Sequence, residues 1–459
     1  MYRRYSRRQL LSTASMGFGN LALNSLLAAE RKPHHQPKVE HVIFCYMSGG
    51  VSHIDSFDPK PRLAKEAGQP MPVPLDRTMF NDNGAIFPSP WEFKNYGQSG
   101  IPVSSLFSHM GECADDICVI RSMTAKFMEH AQANFFFHSG QPFTGFPSLG
   151  AWTTYGLGSP SKELPGYVVL ASGEIPLGGI NVYGSGFLPA VHQGSFIHPE
   201  RAEALENVNP KEPDAAQRRK LDFVSKMDGV FLNAVDTHPQ VEAAIRNYET
   251  AYRMQRSIPE LTDLRGESEA TKKLYALDSA NADTAAYGRQ CLLARRLVER
   301  GVRFIELSMV SPKGMGGGNT WDQHGNLKGG HAANAAIVDQ PIAALLKDLK
   351  ARGLFEKTLV IWSGEFGRAP FAQGKDGRDH NTSGFSLWLA GGGVKRGMIY
   401  GATDEYGYRA IENILTVHDL HATVLHLLGI DHEKLTFRFG GRDYRLTDVH
   451  GHVIRPILT

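Results

Sequence analysis

Two consecutive segments of the chain share one pattern: a helical repeat of apolar residues, a glycine just past its end, and then a short apolar run. The first segment has its glycine at Gly301 and a mainly apolar run, interrupted by Arg303 and Glu306, at 302–307, and the second has Gly353 and 358–362. A glycine directly after a helix suits a left-handed cap, and an unbroken apolar run is typical of a strand buried on both faces. The helical repeats are Tyr287, Cys291, Ala294 and Val298, then Val338, Ile342, Leu345 and Leu349. Alternating helices and buried strands predict an α/β fold around a central, mostly parallel sheet flanked by helices.

Four further apolar runs are predicted to be strands of the same sheet: 41–47, 117–120, 167–170 and 385–390. Residues 200–275 differ, because they are highly charged, almost free of glycine and helical in pattern. We expect them to form a helical insertion beside the sheet, within a single domain that spans residues 38–459.

The charge balance and the cysteines exclude some classes of protein. Lys and Arg number 49 against 47 Asp and Glu, a formal net charge of +2 that gives no reason to expect nucleic acid as a partner. No uncharged apolar run reaches the ~18 residues that a membrane span needs. The 4 cysteines contain no zinc-type C-x-x-C pair, which makes the 19 histidines the better candidates for metal chemistry.

The first 29 residues have the composition of an export signal. Arg7 and Arg8 precede a moderately apolar stretch at 16–27, which ends in small residues before the polar Glu30. A basic start, an apolar core and small residues at a cleavage point are typical of a secretory signal, and the paired arginines resemble the twin-arginine class. The alternative is a basic tail without that role. We expect residues 1–29 to direct export to the periplasm or the cell exterior.

Pairs of candidate metal ligands follow the predicted strands, at the sheet edge where ligands collect in such folds. His53 and Asp55 come after the first strand, and Asp322 and His324 come after a loop rich in glycine (Gly314, Gly316, Gly317 and Gly318). A carboxylate and an imidazole are common ligands of zinc and manganese. Each pair has the alternative of a purely structural role in its loop.

Charged residues also follow the strand at 358–362. Glu365 and Arg368 come first, and a hydrophilic loop then leads to Arg378, Asp379 and His380. An isolated carboxylate at the end of a buried strand costs several kcal/mol, so Glu365 is expected to be paired, protonated or bound to a metal. Arginine suits a sulfate or phosphate group, which it binds through two parallel hydrogen bonds. A structural salt-bridge cluster is the alternative.

Another segment after a strand, 128–140, predicts a helix that begins near His130. The start of a helix favours bound anions, because the helix dipole is positive there.

Five stretches, in this order, resemble a family of bacterial secreted proteins known as domain-of-unknown-function family 1501: M-S-G-G-V-S-H-I-D-S-F-D-P-K, P-S-L-G-A-W, W-D-Q-H-G-N, S-G-E-F-G-R and G-R-D-H-N. The resemblance extends from about residue 38 to the end of the chain. It implies a place in the alkaline phosphatase and sulfatase superfamily, with one large α/β domain and a metal site at the strand ends.

The chain departs from that superfamily's pattern at two positions. The first strand ends in Ser48-Gly49-Gly50 instead of an acid, so that His53 or Asp55 would have to substitute. His130 stands where related enzymes carry a Ser, Thr or Cys nucleophile, and the sulfatase C-x-P-S-R motif is absent. Three roles for His130 stay open: direct attack on phosphorus, metal ligation, or a hydrogen-bonded histidine without a catalytic part.

The sequence and the resemblance together predict an exported metal-dependent hydrolase that acts on a sulfate or phosphate ester of a small molecule or a polysaccharide. The alternative is a catalytically inactive protein of the same fold that binds a metal or a glycan. The cofactor is expected to be a divalent metal ion: Zn, Ca, Mg or Mn. The candidate catalytic residues are His130, Arg368 and Arg378, and the candidate metal ligands are Asp322, His324, Glu365, His380, His53, Asp55 and Asp379.

Overall fold

In the computed structural model, the described residues form a central sheet of nine strands. The structure describes residues 32–173, 175–201, 204–205, 212–234, 252–255, 257–309 and 320–459. The sheet strands, numbered along the chain, are β1 His41–Tyr46, β2 Ile117–Thr124, β3 Tyr167–Leu170, β4 Ser195–Ile197, β5 Phe304–Leu307, β6 Thr358–Ser363, β7 Phe385–Gly391, β8 Met398–Tyr400 and β9 Leu415–Thr416.

The strand order across the sheet is β8-β2-β7-β6-β1-β5-β3-β4, with β9 also paired to β2. The two pairings of β7, with β2 and β6, are antiparallel. The other pairings are parallel. In the middle of the sheet, Cys45 of β1 lies opposite Leu307 of β5 on one side and Trp362 of β6 on the other. The predicted mostly parallel sheet is therefore confirmed, with one reversed strand.

Helices cover both faces of the sheet. The longer ones are α1 His130–Ser139, α2 Leu149–Leu157, α3 Asp214–Ala234, α4 Ala282–Glu299, α5 Leu327–Ala351 and α6 Val417–Leu427. Three shorter helices are Pro61–Lys65, Ser108–Gly111 and Glu269–Leu274. Among the described residues, four two-stranded ribbons lie outside the central sheet: Phe93–Tyr96 with Ile101–Ser104, Gly367–Arg368 with His380–Asn381, Ala402–Thr403 with Ala410–Glu412, and Phe437–Phe439 with Arg442–Tyr444.

The two faces of β1 separate two hydrophobic cores, because successive side chains of a strand point to opposite sides. Ile43 and Cys45 pack with the apolar residues of α4 and α5. Val42, Phe44 and Tyr46 pack on the other face, with residues of α1, α2 and α6. The sheet is thus buried on both sides, as its unbroken apolar runs predict.

The two glycines expected after helices have the backbone conformation that a left-handed cap requires. Gly301 follows α4 with φ of 80°, and Gly353 follows α5 with φ of 69°. Each chain reversal leads directly into a sheet strand, β5 or β6. These two units place the carboxyl ends of β5 and β6 on either side of that of β1.

The charged segment 200–275 contains α3 and the helix Glu269–Leu274, and residues 252–255 and 257–262 are also helical. Ile258 and Leu261 are buried in the same core as α4. The stretch 235–250 lies outside the described residues. None of the helices that the structure describes is long and apolar enough to cross a membrane.

Candidate metal centre

The site lies beyond the carboxyl end of the sheet, where His130 is the first residue of α1. The preceding Glu129 caps this helix, because its side chain accepts hydrogen bonds from the backbone N–H groups of Ala131 and Gln132, each at 3.0 Å. The helix therefore begins where the sequence predicts. The cap fixes the backbone of His130 and directs its side chain toward the ends of β1 and β6.

The other site residues come from two loops and a ribbon. Asp322 and His324 precede α5, and His380 lies on the ribbon strand opposite Arg368. The loop that carries Asp322 and His324 packs against the loop before His380 at Gly377, where a Cβ atom would lie 2.0 Å from the carbonyl oxygen of His324. Only glycine permits this approach. The glycines predicted to precede Asp322, at 314–318, lie outside the described residues.

Within the part of the chain that the structure describes, one group of side chains has the geometry of a metal site. Its four possible ligand atoms all lie within 4.8 Å of one another, and they belong to His130, Asp322, His324 and His380. Asp322 is at the centre. Its Oδ2 atom lies 3.1 Å from Nε2 of His130, and its Oδ1 atom lies 2.8 Å from Nε2 of His324 and 3.2 Å from Nε2 of His380.

In each of the three imidazoles, Nδ1 makes a hydrogen bond on the side of the ring away from the cluster. The acceptors are Glu365 Oε1 for His130, at 2.6 Å, Gln373 Oε1 for His324, and the backbone carbonyl of Met128 for His380. Oxygen atoms of these kinds only accept, so Nδ1 carries a hydrogen in every ring. All three Nε2 atoms face the Asp322 carboxylate. With Nδ1 protonated and Nε2 free of a proton, each ring would have the tautomer that metal-ligating histidines use.

The donor set fits a metal ion. His324 and His380 bring their Nε2 atoms to 3.0 Å from each other, and both lie beside a carboxylate oxygen. Nitrogen lone pairs and a carboxylate repel one another unless a proton or a metal cation lies between them. Three imidazole nitrogens and one carboxylate oxygen form a donor set that first-row transition metals accept.

The protonation states also suit ligation. Burial raises the pKa of Asp322, but the Arg368 charge and the three imidazoles outweigh burial and hold this pKa well below its usual range. Burial and the Arg368 charge lower the pKa of His380 to about 4. For His130, burial is outweighed by hydrogen bonds to Asp322 and Glu365, which raise the pKa to about 9. In the metal-free chain His130 therefore carries an extra proton near neutral pH, and a metal ion would displace it.

Arg368 lies beside the cluster, and its guanidinium bonds to Asp322 and to backbone carbonyls. Its side chain is fully buried, and Nη2 lies 2.7 Å from Oδ1 of Asp322. The other N–H groups donate to backbone carbonyls: Gly50 at 2.9 Å, Arg378 at 3.0 Å, Trp321 at 3.3 Å, and Gly49. The guanidinium thus orients Asp322 and joins three loops.

Arg378 and Asp55 are paired with each other outside the cluster. Nε of Arg378 lies 2.8 Å from Oδ2 of Asp55 and Nη2 lies 3.3 Å from Oδ1, with both side chains fully buried. Two further N–H groups of Arg378 donate to the carbonyls of Ala369 and Pro88. The structure therefore places Asp55 outside the cluster of four residues and Arg378 away from an accessible surface, because each is the other's buried counterion.

Three more candidate ligands also lie outside the cluster. The ring of His53 donates through Nε2 to the Gly407 carbonyl at 2.7 Å. Asp379 accepts from the backbone N–H groups of His380, at 2.8 Å, and Phe80, at 3.0 Å. Glu365 lies directly behind His130 and bonds to its Nδ1 atom, on the side away from the four ligand atoms.

Three site residues were not identified from the sequence. Tyr46, at the end of β1, donates to Asn134 and lies 3.2 Å from Oε2 of Glu365. Asn134 stands one helical turn after His130, a spacing that could have indicated it. Gln373, which holds His324, is in a hydrophilic loop without any periodic signal.

The cluster reaches solvent through two of its four residues. The side chains of Asp322 and His324 are 25% and 24% exposed, whereas those of His130 and His380 are buried. The half-exposed ring of Phe80 packs edge-on against His324, with the ring centroids 4.6 Å apart. A small molecule would therefore approach from the side of Asp322, His324 and Phe80.

Comparisons with known proteins were made for the whole chain. A family model described as "Protein of unknown function (DUF1501)" matches residues 39–458. A search of curated proteins found no significant sequence match.

Several solved structures are similar over most of the chain. The lipoteichoic acid synthase LtaP from Listeria monocytogenes has 9% sequence identity and a TM-score of 0.41, over 93% of this chain and 79% of that one. The phosphonate monoester hydrolase SpPMH from Silicibacter pomeroyi has 12% identity and a TM-score of 0.38, over 92% and 76%. A protein in the alkaline phosphatase superfamily from Vibrio parahaemolyticus has 10% identity and a TM-score of 0.37, over 88% and 69%. Similarity at this level transfers no activity to this chain.

Proposed function

This chain belongs to the family described as "Protein of unknown function (DUF1501)", and we propose that it is an exported metal-dependent hydrolase that acts on a sulfate or phosphate ester. The observation that carries the proposal is the convergence of four ligand atoms, from His130, Asp322, His324 and His380, within 4.8 Å of one another. They come from elements far apart in sequence and meet at a solvent-accessible edge of the sheet.

The ligand types narrow the choice of metal. Three imidazole nitrogens suit zinc, manganese or another first-row transition metal, whereas calcium and magnesium prefer oxygen ligands throughout. Of the four divalent ions that the sequence analysis left open, zinc and manganese are therefore favoured.

A divalent ion at this site would supply Lewis acidity toward an ester oxygen and lower the pKa of a water molecule. The chain's own residues hold the geometry. Arg368 keeps Asp322 ionised and oriented, as the lowered pKa of Asp322 indicates. His324 and Phe80 border the accessible side, where the organic part of a substrate, from a small molecule or a polysaccharide, would lie.

The proposed role of Arg368 and Arg378 differs from the role that the sequence suggested. Arg368 and Arg378 were candidates for holding the sulfate or phosphate group. Their guanidinium groups are instead occupied by Asp322, Asp55 and backbone carbonyls. We propose that both arginines organise the loops of the site and leave the contacts with substrate to other groups.

His130 is proposed to be a metal ligand. Its Nε2 atom lies 3.1 Å from Asp322, and its Nδ1 atom is held by Glu365 at 2.6 Å, so the ring presents Nε2 to the cluster. An attacking histidine would use the same Nε2 lone pair. Ligation and attack therefore exclude each other at this atom, which makes the two roles separable by experiment.

One observation favours the alternative, a metal-binding protein without catalysis. Four protein ligands fill a tetrahedral zinc site, whereas catalytic zinc sites typically have three protein ligands and an open position. The start of α1 also carries His130 where related enzymes carry a hydroxyl or thiol nucleophile. A metal ion that takes five or six ligands would keep a coordination position open for water or substrate. A tetrahedral zinc ion bound by all four residues would have none.

Hydrolysis of p-nitrophenyl phosphate and p-nitrophenyl sulfate tests the proposal. The chain from residue 30 onward is purified, stripped of metal, reloaded with zinc or manganese, and compared with the His324→Ala variant and with His450→Ala, which removes an exposed histidine elsewhere. Metal-dependent turnover that His324→Ala abolishes and His450→Ala retains supports hydrolase function. Stoichiometric metal without turnover on either ester supports the non-catalytic alternative.

Export is the second part of the proposal. The paired Arg7 and Arg8, the apolar stretch and the small residues before Glu30 support a twin-arginine signal in residues 1–29. That pathway carries proteins already folded, which would allow a buried metal site to be loaded before export.

A further inference from the structure

We propose that Glu365 is a positioning residue that holds His130 in its ligating orientation, and that it is not itself a metal ligand. The inference rests on the proposed metal centre and deepens it. It replaces the ligand role that the sequence suggested for Glu365.

Both oxygens of Glu365 are already engaged. Oε1 accepts from Nδ1 of His130 at 2.6 Å and from the backbone N–H of Gly49 at 2.9 Å. Oε2 lies 3.1 Å from the same Gly49 nitrogen and 3.2 Å from the hydroxyl oxygen of Tyr46. To bind the metal, the Glu365 carboxylate would have to give up these hydrogen bonds and move to the other side of the His130 ring.

The backbone that carries this carboxylate is tightly packed. Glu365 follows β6 through Gly364, where a Cβ atom would lie 2.7 Å from the carbonyl oxygen of Met47. The turn after β6 is therefore packed directly against the end of β1. The Glu365 side chain itself is fully buried.

The group that accepts the Nδ1 hydrogen of His130 is a carboxylate, and it also accepts the backbone N–H of Gly49. A charged acceptor at Nδ1 fixes the ring orientation and strengthens Nε2 as an electron-pair donor, which is the usual effect of a carboxylate behind a metal-bound histidine. The other two rings, His324 and His380, have uncharged acceptors. The charged support is thus specific to His130.

The chain offers a matched control in Glu306, on β5. This carboxylate is also fully buried, receives a hydrogen bond from Tyr167 at 2.8 Å, and lies 2.7 Å from Nε2 of His138. It has the same chemistry as Glu365 but bonds to none of the four cluster residues. A Glu306→Gln variant therefore measures how zinc affinity changes when a buried carboxylate next to a histidine is removed outside the proposed centre.

The test measures zinc affinity by competition with a chelator in the wild type, Glu365→Gln, Glu365→Ala and Glu306→Gln. Loss of an outer-layer carboxylate weakens metal binding about 10–100-fold. We expect such a loss in Glu365→Gln, a larger one in Glu365→Ala, and none in Glu306→Gln. Zinc affinity unchanged in Glu365→Gln, or lowered equally in Glu306→Gln, would overturn the assignment.

A spectroscopic measurement separates positioning from ligation. The cobalt-loaded Glu365→Gln variant is expected to keep the coordination number of the wild type, and nitrogen NMR of metal-free Glu365→Gln is expected to show a changed proton distribution on His130. A reduced coordination number would show that Glu365 is a ligand and refute the inference. If the wild type binds no metal, the proposed centre fails. If it binds metal but hydrolyses nothing, these two measurements still decide the role of Glu365.

Discussion

The Nε2 atoms of His324 and His380 face each other at 3.0 Å, and the Nδ1 atom of each ring donates to an oxygen behind it. The two rings therefore direct lone pairs at the same point, beside the carboxylate of Asp322. A shared proton or a bound cation would relieve the repulsion among these atoms, and imidazole nitrogens beside one carboxylate oxygen suit a metal cation. This arrangement is the strongest argument for a metal ion.

His130→Ala should lower both the metal affinity and any esterase turnover, because it removes one of the four ligands. Excess metal should partly restore activity, since three ligands remain. Metal titration and turnover of the variant provide the check. If His130 instead attacked phosphorus, the wild type would accumulate an acid-labile phosphoryl adduct and the variant would keep its metal. Unchanged metal content and unchanged turnover would remove His130 from the site altogether.

The buried pair of Arg378 and Asp55 should be important for stability. Removing one partner leaves the other charge buried without a counterion, which typically costs about 3–5 kcal/mol. Arg378→Ala should therefore lower the free energy of unfolding by about that amount in urea denaturation. Lys434→Ala, which breaks the exposed pair of Lys434 with Asp431 at 2.9 Å, should change it by at most about 1 kcal/mol. Equal effects in the two variants would show that the buried pair has no special role.

His331 should make the fold sensitive to mild acid. It is fully buried, accepts a hydrogen bond from the backbone N–H of Ser52 at 3.1 Å, and burial lowers its pKa to about 3. A histidine whose folded pKa lies below its ordinary 6.5 stabilises the protein above pH 6.5, and this contribution is lost as the pH falls toward 3.

In His331→Gln, the difference in unfolding free energy between pH 7 and pH 5 should be smaller by about 2 kcal/mol than in the wild type. Denaturant unfolding at the two pH values measures this difference. His450→Gln, at an exposed position, is the control and should behave as the wild type does. A pH dependence unaltered in His331→Gln would contradict the assigned role of His331.

Replacing Arg7 and Arg8 by lysine should leave the precursor uncleaved in the cytoplasm, because the twin-arginine pathway recognises the arginine pair itself. Cell fractionation and the size of the product show the outcome. Normal processing of the double variant would assign the signal to the general secretory class.

The fold was predictable because its signals are local. Gly301 and Gly353 each mark the end of a helix and the start of a buried strand, and both have the expected positive φ. The direction of β7 was not predictable, since a fully apolar run has the same pattern whether a strand is parallel or antiparallel to its neighbours.

The site was predictable only in part, because its contacts join distant residues. Asp322, His324 and His380 follow strands and carry ligand side chains, which is sufficient to select them. The pairing of Asp55 with Arg378 joins residues 323 positions apart, and no local pattern indicates it. Tyr46 could not be distinguished from a core residue, because it ends an apolar strand and only its hydroxyl reaches the site.

The most direct test of the metal centre is the metal content of the purified chain from residue 30 onward, loaded with zinc or manganese and freed of excess ion. We predict about one ion per chain in the wild type, close to none in the Asp322→Ala, His324→Ala double variant, and the same circular dichroism spectrum for both. A wild type that retains no metal, or a double variant that retains it fully, would contradict the account.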